Sequence, residues 1–417
     1  MEDPPMGDIQ KRFKNLPRNV WAVSLTSFFM DISSEMVINI LPLFLLNVLG
    51  VRTSLIGLIE GVAESTASIL KVFSGWFSDK LRGRKWIAVL GYGISTIAKP
   101  FFYWANSWGS VAGVRWADRL GKGIRTAPRD ALVADSINAE QRGLAFGFHR
   151  AADTGGAVLG LLIAALIIWQ SQSNPQGLQE NTFRTVVLIS LIPAVLAVIS
   201  LALGARDTFK GKTEAAPKIT IKGLGKPFLI FLLIVGLFDL GNSSDAFLIL
   251  RAQERGMTII GVLLMLASFN LVYALTSTPA GDLSDRIGRR KVIIGGWIVY
   301  GLIYLGFALA QKPWHVWGLY ITYGLYYGLA YGTAKAMVAD LVKPEMRGTA
   351  YGAYNATLGL IDFPASVIAG ILWQGVGSWQ GFGPAAPFLF GSALAFIAAI
   401  LLGFWKPSKL AEKPTRN

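Results

Sequence analysis

Long apolar runs alternate with short polar connections along the chain, near 21–46, 54–78, 86–106, 110–134, 143–169 and 185–204, then near 227–250, 258–281, 291–311, 315–339, 348–374 and 386–405. A helix needs roughly 20 mostly apolar residues to cross a bilayer, and each run meets that length. The pattern predicts an all-α integral membrane protein of twelve transmembrane helices, numbered here as spans 1 to 12. The N-terminal stretch MEDPPMGDIQKRFKNLPRN is charged and leads into span 1 without a small-residue cleavage site, which predicts an uncleaved first helix. Between spans 6 and 7, RDTFKGKTEAAPKITIKGLGKP is polar, basic and broken by Gly and Pro, which predicts a cytoplasmic linker. The expected organisation is a six-helix bundle over 1–204, a linker over 205–226, and a second six-helix bundle with a short cytoplasmic tail over 227–417.

The halves repeat each other. GWFSDKLRGRK at 75–85 returns as GDLSDRIGRRK at 281–291, and ALVADSINAEQRGLAFG at 131–147 returns as AMVADLVKPEMRGTAYG at 336–352. A weaker match relates Ser33-Ser34-Glu35 to Ser243-Ser244-Asp245. Six-span halves repeated in parallel are the architecture of a rocker-type secondary transporter.

Composition agrees with a bilayer: of 417 residues 53% are hydrophobic and 15% charged, with mean hydropathy +0.48. The net charge of +14 would point a soluble chain towards nucleic acid. Its distribution argues otherwise. With the N-terminus inside, the inner connections and both tails hold 25 Lys and Arg, against Arg52, Arg184, Arg251, Arg255 and Lys312 outside. The positive-inside rule then places both termini in the cytoplasm, and the basic excess needs no nucleic-acid partner. The absence of cysteine excludes disulfides, thiolate metal sites and cysteine nucleophiles, and two histidines, His149 and His315, are a poor basis for a metal centre. There is no phosphate-binding Gly-x-x-x-x-Gly-Lys-[Ser/Thr] loop, no His-Glu-x-x-His helix and no Gly-x-Ser-x-Gly elbow, so neither an ATP-driven pump nor an intramembrane hydrolase has support, and no cofactor is expected.

These motifs resemble the major facilitator superfamily of transporters. GDLSDRIGRRK is similar to its loop motif between spans 8 and 9, while the first-half copy carries one extra residue between Asp79 and Gly83. Arg119-Leu-Gly-Lys122-Gly123 in span 4 is similar to the arginine motif of proton-coupled members. Span 5 lacks the Gly-Pro pair of antiporter-type exporters, having Ala152-Asp153-Thr-Gly155-Gly156-Ala-Val-Leu-Gly160 instead. In the loop motifs, Gly75, Asp79 and Arg84, and Gly281, Asp285, Arg286, Gly288 and Arg289, are the expected gating residues. A carboxylate near a helix N-terminus beside Arg or Lys makes a latch that breaks as bundles rock. The plainer reading is a topology signal made of solvated charges.

Charges inside spans carry the most information, because an ionisable side chain at mid-bilayer costs at least ~2.5–3.5 kcal/mol on insertion scales. The first half has Asp31, Glu35, Glu60, Glu64, Asp118, Asp130 and Asp153 against Lys71, Lys99, Arg115, Arg119, Lys122, Arg125, Arg129 and Arg150; the second has Asp239, Asp245 and Asp362 against Lys335. At ~100° per residue, Arg115, Asp118, Arg119, Lys122, Arg125 and Arg129 share an arc of roughly 120°, a stripe that must face protein or water. One reading makes the stripe a buried network that holds the bundle together. The other leaves part of it for substrate and proton. In the superfamily, spans 1, 4, 7 and 10 line the central cavity, so the resemblance implies Asp31, Glu35, Arg119, Lys122 and Arg125, with Asp245, as the substrate and coupling group. Asp31, Glu35 and Asn39 recur four residues apart, giving span 1 a polar face.

Weaker features complete the reading. Tyr323, Tyr326, Tyr327 and Tyr331 in span 10 match Asp118, Gly121, Lys122 and Thr126 of span 4, so Tyr323 and Tyr327 are either an aromatic wall for substrate or ordinary core. His149 is either a proton relay with Asp153 or a packing residue. Gly156-x-x-x-Gly160 and Gly348-x-x-x-Gly352 predict close helix packing, and Pro42, Pro100, Pro279 and Pro364 predict kinks. The sequence predicts no enzyme but a monomeric, multi-pass transporter of the cell (inner) membrane. Its expected partners are a small-molecule substrate, a proton and the lipid bilayer. The favoured function is symport of an anionic or zwitterionic organic solute; the alternative is proton-antiport efflux of amphipathic compounds. A sensor or scaffold of the same fold would need an appended domain, which the short ends do not offer.

Overall fold

The computed structural model describes residues 16–81, 83–137, 142–207, 223–342 and 346–405. Helices account for most of them, in the order Arg18–Ile38, Leu41–Asn47, Thr53–Leu81, Arg84–Ala98, Trp108–Asp135, Arg142–Ser171, Glu180–Gly204, Lys226–Leu240, Ala246–Glu254, Ile259–Ile287, Arg289–Leu309, Pro313–Tyr326, Gly332–Asp340, Arg347–Gln374 and Ala386–Phe404. Seven stretches among the described residues are long and apolar enough to cross a membrane, and the protein is an all-helical membrane protein. The long helices outside that set include Thr53–Leu81 and Trp108–Asp135, which carry charge along their length.

The prolines act in two ways. Pro42 sits in the first turn of Leu41–Asn47, just after a two-residue interruption at Asn39 and Ile40, and Pro100 lies in the 3₁₀ segment Lys99–Trp104. Pro279 and Pro364, expected to kink their spans, lie inside helices that run on without a break. The span near 227–250 is interrupted at Gly241–Asp245, and the helix after Pro313 loosens into a π segment at Tyr327–Tyr331.

The chain divides into two compact units, 1–44 with 69–217, and 45–68 with 218–417. In the first, glycines bring backbones together. A methyl group at Gly156 would collide with the Phe28 carbonyl, and one at Gly160 would lie 2.5 Å from the Ile32 carbonyl, so Gly156 and Gly160 serve close packing as predicted. Gly352 has open space around it, so the same prediction fails there. Gly91 and Gly121 face each other, which lets Arg84–Ala98 pack directly on the charged helix Trp108–Asp135. In the second unit, Gly57 and Gly61 pack on Ser366 and Phe363, and Thr53 donates twice to Gln374 Oε1, from N at 2.6 Å and Oγ1 at 2.8 Å.

Arginines complete three helix ends. Arg18 donates to the carbonyls of Gly204 and Leu203, Arg290 to those of Leu402 and Gly403, and Arg251 to those of Phe307 and Ala308. Each cation meets carbonyls that lack a helical partner, at the negative end of a helix dipole. Arg251, counted above with an external connection, is fully buried by this role. The outer surface is apolar, with Phe73, Leu203, Leu233 and Phe404 more than half exposed, as a lipid-facing surface requires.

Candidate functional site

The first unit buries its charges around the helix Trp108–Asp135. Arg115, Asp118, Arg119 and Arg125 are all buried, and Asp118 is surrounded by Lys99, Arg119, Arg125 and Arg115. Arg125 donates to Ser95 Oγ at 2.6 Å and lies 4.6 Å from the Tyr92 ring centroid, so its position is set by the neighbouring helix. Arg129 donates to Asp130 Oδ1 at 2.8 Å and to Ser27 Oγ at 3.2 Å. The arginines are thus held by side chains from two other helices, an arrangement that orients them at low entropic cost.

Lys99 is the element that the sequence left unplaced. It is 1% exposed and donates to Ser33 Oγ at 2.5 Å and Ser34 Oγ at 3.1 Å. The Ser-Ser pair that recurs between the halves therefore solvates a buried ammonium in the first unit. That recurrence was the available signal, although the partner lies 65 residues away in sequence from Ser34. Glu35 follows these serines and accepts from Asn39 Nδ2 at 2.6 Å, on the polar face expected of Arg18–Ile38. Asp31, one turn earlier, lies in the field of Asp153, Glu35, Lys122 and Arg129. Of the predicted coupling residues, the structure brings Asp31, Glu35 and Lys122 together, and Arg119 and Arg125 around Asp118, with Lys99 in the field of both Asp31 and Asp118. His149 Nε2 is 3.7 Å from Asp153 Oδ2, an ion-pair distance but no hydrogen bond.

Asp245 belongs to the second unit, at the start of Ala246–Glu254, where its charge acts on Tyr304, Tyr323, Tyr326 and Tyr327. Tyr323 has no exposed surface: its hydroxyl donates to Asn242 Oδ1 at 3.3 Å and its ring packs on Phe269, Tyr320 and Tyr327. Tyr327 is half-buried and also meets Tyr273 and Tyr331. Hydrophobic and hydroxyl packing fully accounts for Tyr323.

The side chains of Asp79 and Asp285, and the surroundings of Gly281, lie outside the described residues; other members of the loop motifs are placed. Arg84 Nη1 lies 2.5 Å from Asp135 Oδ2 and donates to the Ala131 carbonyl at 2.9 Å. Arg289 Nε lies 2.5 Å from Asp340 Oδ2. The same arginine–aspartate pair recurs in both units, once the extra residue before Gly83 is allowed for. Asp135 and Asp340, the partners in these pairs, were not singled out from the sequence, although both lie in the repeated Val-Ala-Asp segments. Gly288 joins two helices with φ +96°, a conformation that favours glycine. Gly75 approaches Ala127, and Arg286 is exposed. Because Arg289 and Asp340 are 30% and 53% exposed, their pair is worth at most ~1 kcal/mol. Asp340→Asn is therefore expected to leave the melting temperature in detergent nearly unchanged and to alter transport turnover about two- to fivefold. The exchange Arg289→Asp with Asp340→Arg should restore the rate. A turnover equal to wild type in Asp340→Asn would reduce the pair to a surface contact.

The family model described as Major Facilitator Superfamily matches residues 23–250 and 229–417. An uncharacterised MFS-type transporter of Methanocaldococcus jannaschii is 38% identical over 408 residues, covering 95% of this chain and 98% of its own. A cis,cis-muconate transport protein of Acinetobacter baylyi is 23% identical over 347 residues, covering 78% and 80%. Among solved structures, the nucleoside transporter NupG superposes with a TM-score of 0.75 at 13% identity, over 93% of this chain and 100% of that one.

Proposed function

The chain belongs to the Major Facilitator Superfamily, and we propose that it moves a small anionic or zwitterionic organic solute together with a proton, by alternating access. It is a membrane transporter and not an enzyme. The observation that carries the substrate class is the surplus of buried cations along the Trp108–Asp135 helix, where Arg115, Arg119 and Arg125, with Lys99, act on Asp118. Within spans, the first unit carries eight bases against five acids, because Glu60 and Glu64 lie with the second unit, and this surplus favours a negatively charged group on the substrate. The relative named for cis,cis-muconate, a carboxylate, supports the same reading.

In this reading Arg119, Lys122 and Arg125 hold the anionic group, and Glu35 carries the proton with Asp31 beside it. An anion and a proton each offset the charge of the other, so they bind together and cross together. A cationic substrate would compete with the proton and be exchanged for it. The test is counterflow and accumulation in proteoliposomes with anionic, zwitterionic and cationic solutes, each with and without an imposed pH gradient. Accumulation of an anion driven by an inward proton gradient is expected. Uptake of amphipathic cations driven by an outward one would establish efflux by antiport instead.

The topology proposed with it has twelve spans, bundles over 1–204 and 227–417 joined by the 205–226 linker, both termini cytoplasmic, and a monomer in the inner membrane. It rests on the distribution of basic residues, 25 inside against four outside once the buried Arg251 is set aside. Single cysteines at Ser173 and Ser378, both exposed, should react with an impermeant maleimide added outside intact cells. One at exposed Arg206 should react only after permeabilisation. The reverse pattern would invert the topology.

A further inference from the structure

A groove of about 690 Å³ opens on the first unit between the start of Arg18–Ile38, the end of Glu180–Gly204 and the helix Arg142–Ser171. The charged helix Trp108–Asp135 contributes nothing to its lining, and the lining residues Trp21, Leu25, Ile199 and Leu203 are exposed, so it opens towards lipid. Close contacts bound it. A methyl at Gly204 would lie 2.8 Å from Ala22 Cβ, and the Phe28 carbonyl meets Gly156. The edge of the Trp21 ring packs on Phe148, with centroids 4.6 Å apart, and fixes the wall between two of the helices.

Two polar groups interrupt this apolar surface. Ser24 lines the groove, is 1% exposed, and its Oγ has no hydrogen-bond partner among the described residues. A helical hydroxyl ordinarily donates to the carbonyl four residues earlier, as Thr26 Oγ1 does to Ala22 at 2.7 Å. The Ser24 hydroxyl is left for whatever enters, since an unpaired hydroxyl in apolar surroundings is costly. Arg18 is the one charged lining residue. Its Nε and Nη2 donate to the carbonyls of Gly204 and Leu203, at 2.7 and 2.8 Å, and its Nη1 has no acceptor among the described residues. Arg206 is tied alongside, since Asn19 Oδ1 accepts from its backbone N at 2.8 Å and Asn19 Nδ2 donates to its carbonyl at 2.8 Å. The acids nearby are engaged: Asp207 Oδ1 accepts from Lys85 N at 2.9 Å, and Asp135 pairs with Arg84. Arg18 and Arg206 are both exposed, and neither pairs with a described acid.

We propose that this groove binds one anionic glycerophospholipid, with its phosphate on Arg18 in the field of Arg206, a glycerol oxygen on Ser24, and an acyl chain against Leu25, Phe28 and Ala152. The groups along the helix stand in the order in which such a lipid needs them. A guanidinium, which matches the geometry of phosphate oxygens, comes first. Trp21 follows, a residue type that favours headgroup depth. The Ser24 hydroxyl comes six residues after Arg18, about 9 Å deeper along the helix axis, and the side chains beyond it are apolar. Bulk acyl chains would fill the groove without using either polar group. A second copy of the chain suits it less, because the chain carries a net +14 and two basic helix ends would meet. The site lies apart from the Asp118 cluster and does not depend on the transported solute.

The test uses purified full-length protein, stripped of lipid in detergent, and native mass spectrometry with dioleoyl phosphatidylglycerol as the probe. Wild type should retain one phosphatidylglycerol per chain, and dioleoylglycerol, which has the same chains and no phosphate, should bind about tenfold more weakly. Phosphatidylglycerol with a photoreactive acyl chain should label wild type at Leu25, Phe28 or Ile199. Arg18→Gln should weaken phosphatidylglycerol about tenfold and leave dioleoylglycerol unchanged. Ala152→Phe, which fills the groove and alters no charge, should weaken both lipids and abolish the label. Equal binding of the two lipids by wild type overturns the proposal, and so does label spread over the whole outer surface, the behaviour of bulk lipid. A dimer in the same spectra that Ala152→Phe dissociates assigns the groove to a second copy and overturns it equally. The two wild-type measurements decide headgroup and location by themselves, so a variant that fails to fold leaves the test complete. No transport is measured, so the outcome stands or falls separately from the symport reading.

Discussion

Glu35→Gln is expected to abolish pH-driven accumulation of substrate while leaving counterflow intact. A one-proton symporter can accumulate solute at most tenfold per unit of pH gradient, since each unit is worth about 1.36 kcal/mol. A variant that cannot carry the proton accumulates none. Counterflow needs only binding and the conformational cycle, so it should continue at a rate within about threefold of wild type. Gln fits the site: Asn39 Nδ2 donates to Glu35 Oε2 at 2.6 Å, and the side-chain oxygen of Gln can accept the same bond. Arg119→Ala should behave differently, weakening half-saturation in both assays, because it would remove part of the positive field that holds the solute. If Glu35→Gln still concentrates substrate with unchanged pH dependence, Glu35 belongs to the structural network and the proton travels elsewhere.

The second large effect concerns stability. Asp118→Asn should lower the apparent melting temperature in detergent sharply and reduce the yield of monodisperse protein. Asp118 is buried among Lys99, Arg119, Arg125 and Arg115, with Arg115 Nη1 3.9 Å from its Oδ2. Removing one partner from a buried charge pair typically costs about 3–5 kcal/mol, because the opposite charges are left uncompensated. The second-site change Lys99→Met distinguishes this from simple loss of packing. It removes one cation while filling a similar volume, and Asp118→Asn with Lys99→Met should be more stable than Asp118→Asn alone. A double variant no better than additive would mean that Lys99 is compensated by Ser33 and Ser34 and does not depend on Asp118.

The two halves carry different charge on a duplicated frame, with eight bases within the spans of the first against Lys335 alone in the second. In the first unit a recurrent Ser-Ser pair receives a lysine; in the second, Ser243 and Ser244 lie in a helix break next to Asp245. The aromatic helix Pro313–Tyr326 takes the place of the cationic one. Tyrosine packing needs no counter-charge, and Tyr323 is fully enclosed by rings and Asn242.

The sequence by itself determined the all-helical membrane class, the internal duplication and the charged stripe from Arg115 to Arg129. These are legible because bilayer thickness sets the length of an apolar run, duplication leaves repeated letters, and a helix puts every third or fourth residue on one face. Close packing at Gly156 and Gly160 was legible for the same reason of spacing. The pattern at Gly352 is identical and yet meets open space, because a glycine can admit a neighbour only where the fold supplies one. The tertiary structure alone decided the partners. That Lys99 is solvated by Ser33 and Ser34, and that Arg84 and Arg289 meet Asp135 and Asp340, are contacts between helices distant in sequence. Periodicity fixes which face a charge occupies, but the energy of a charge in a membrane depends on what stands opposite it, and only the packing of one helix against another supplies that.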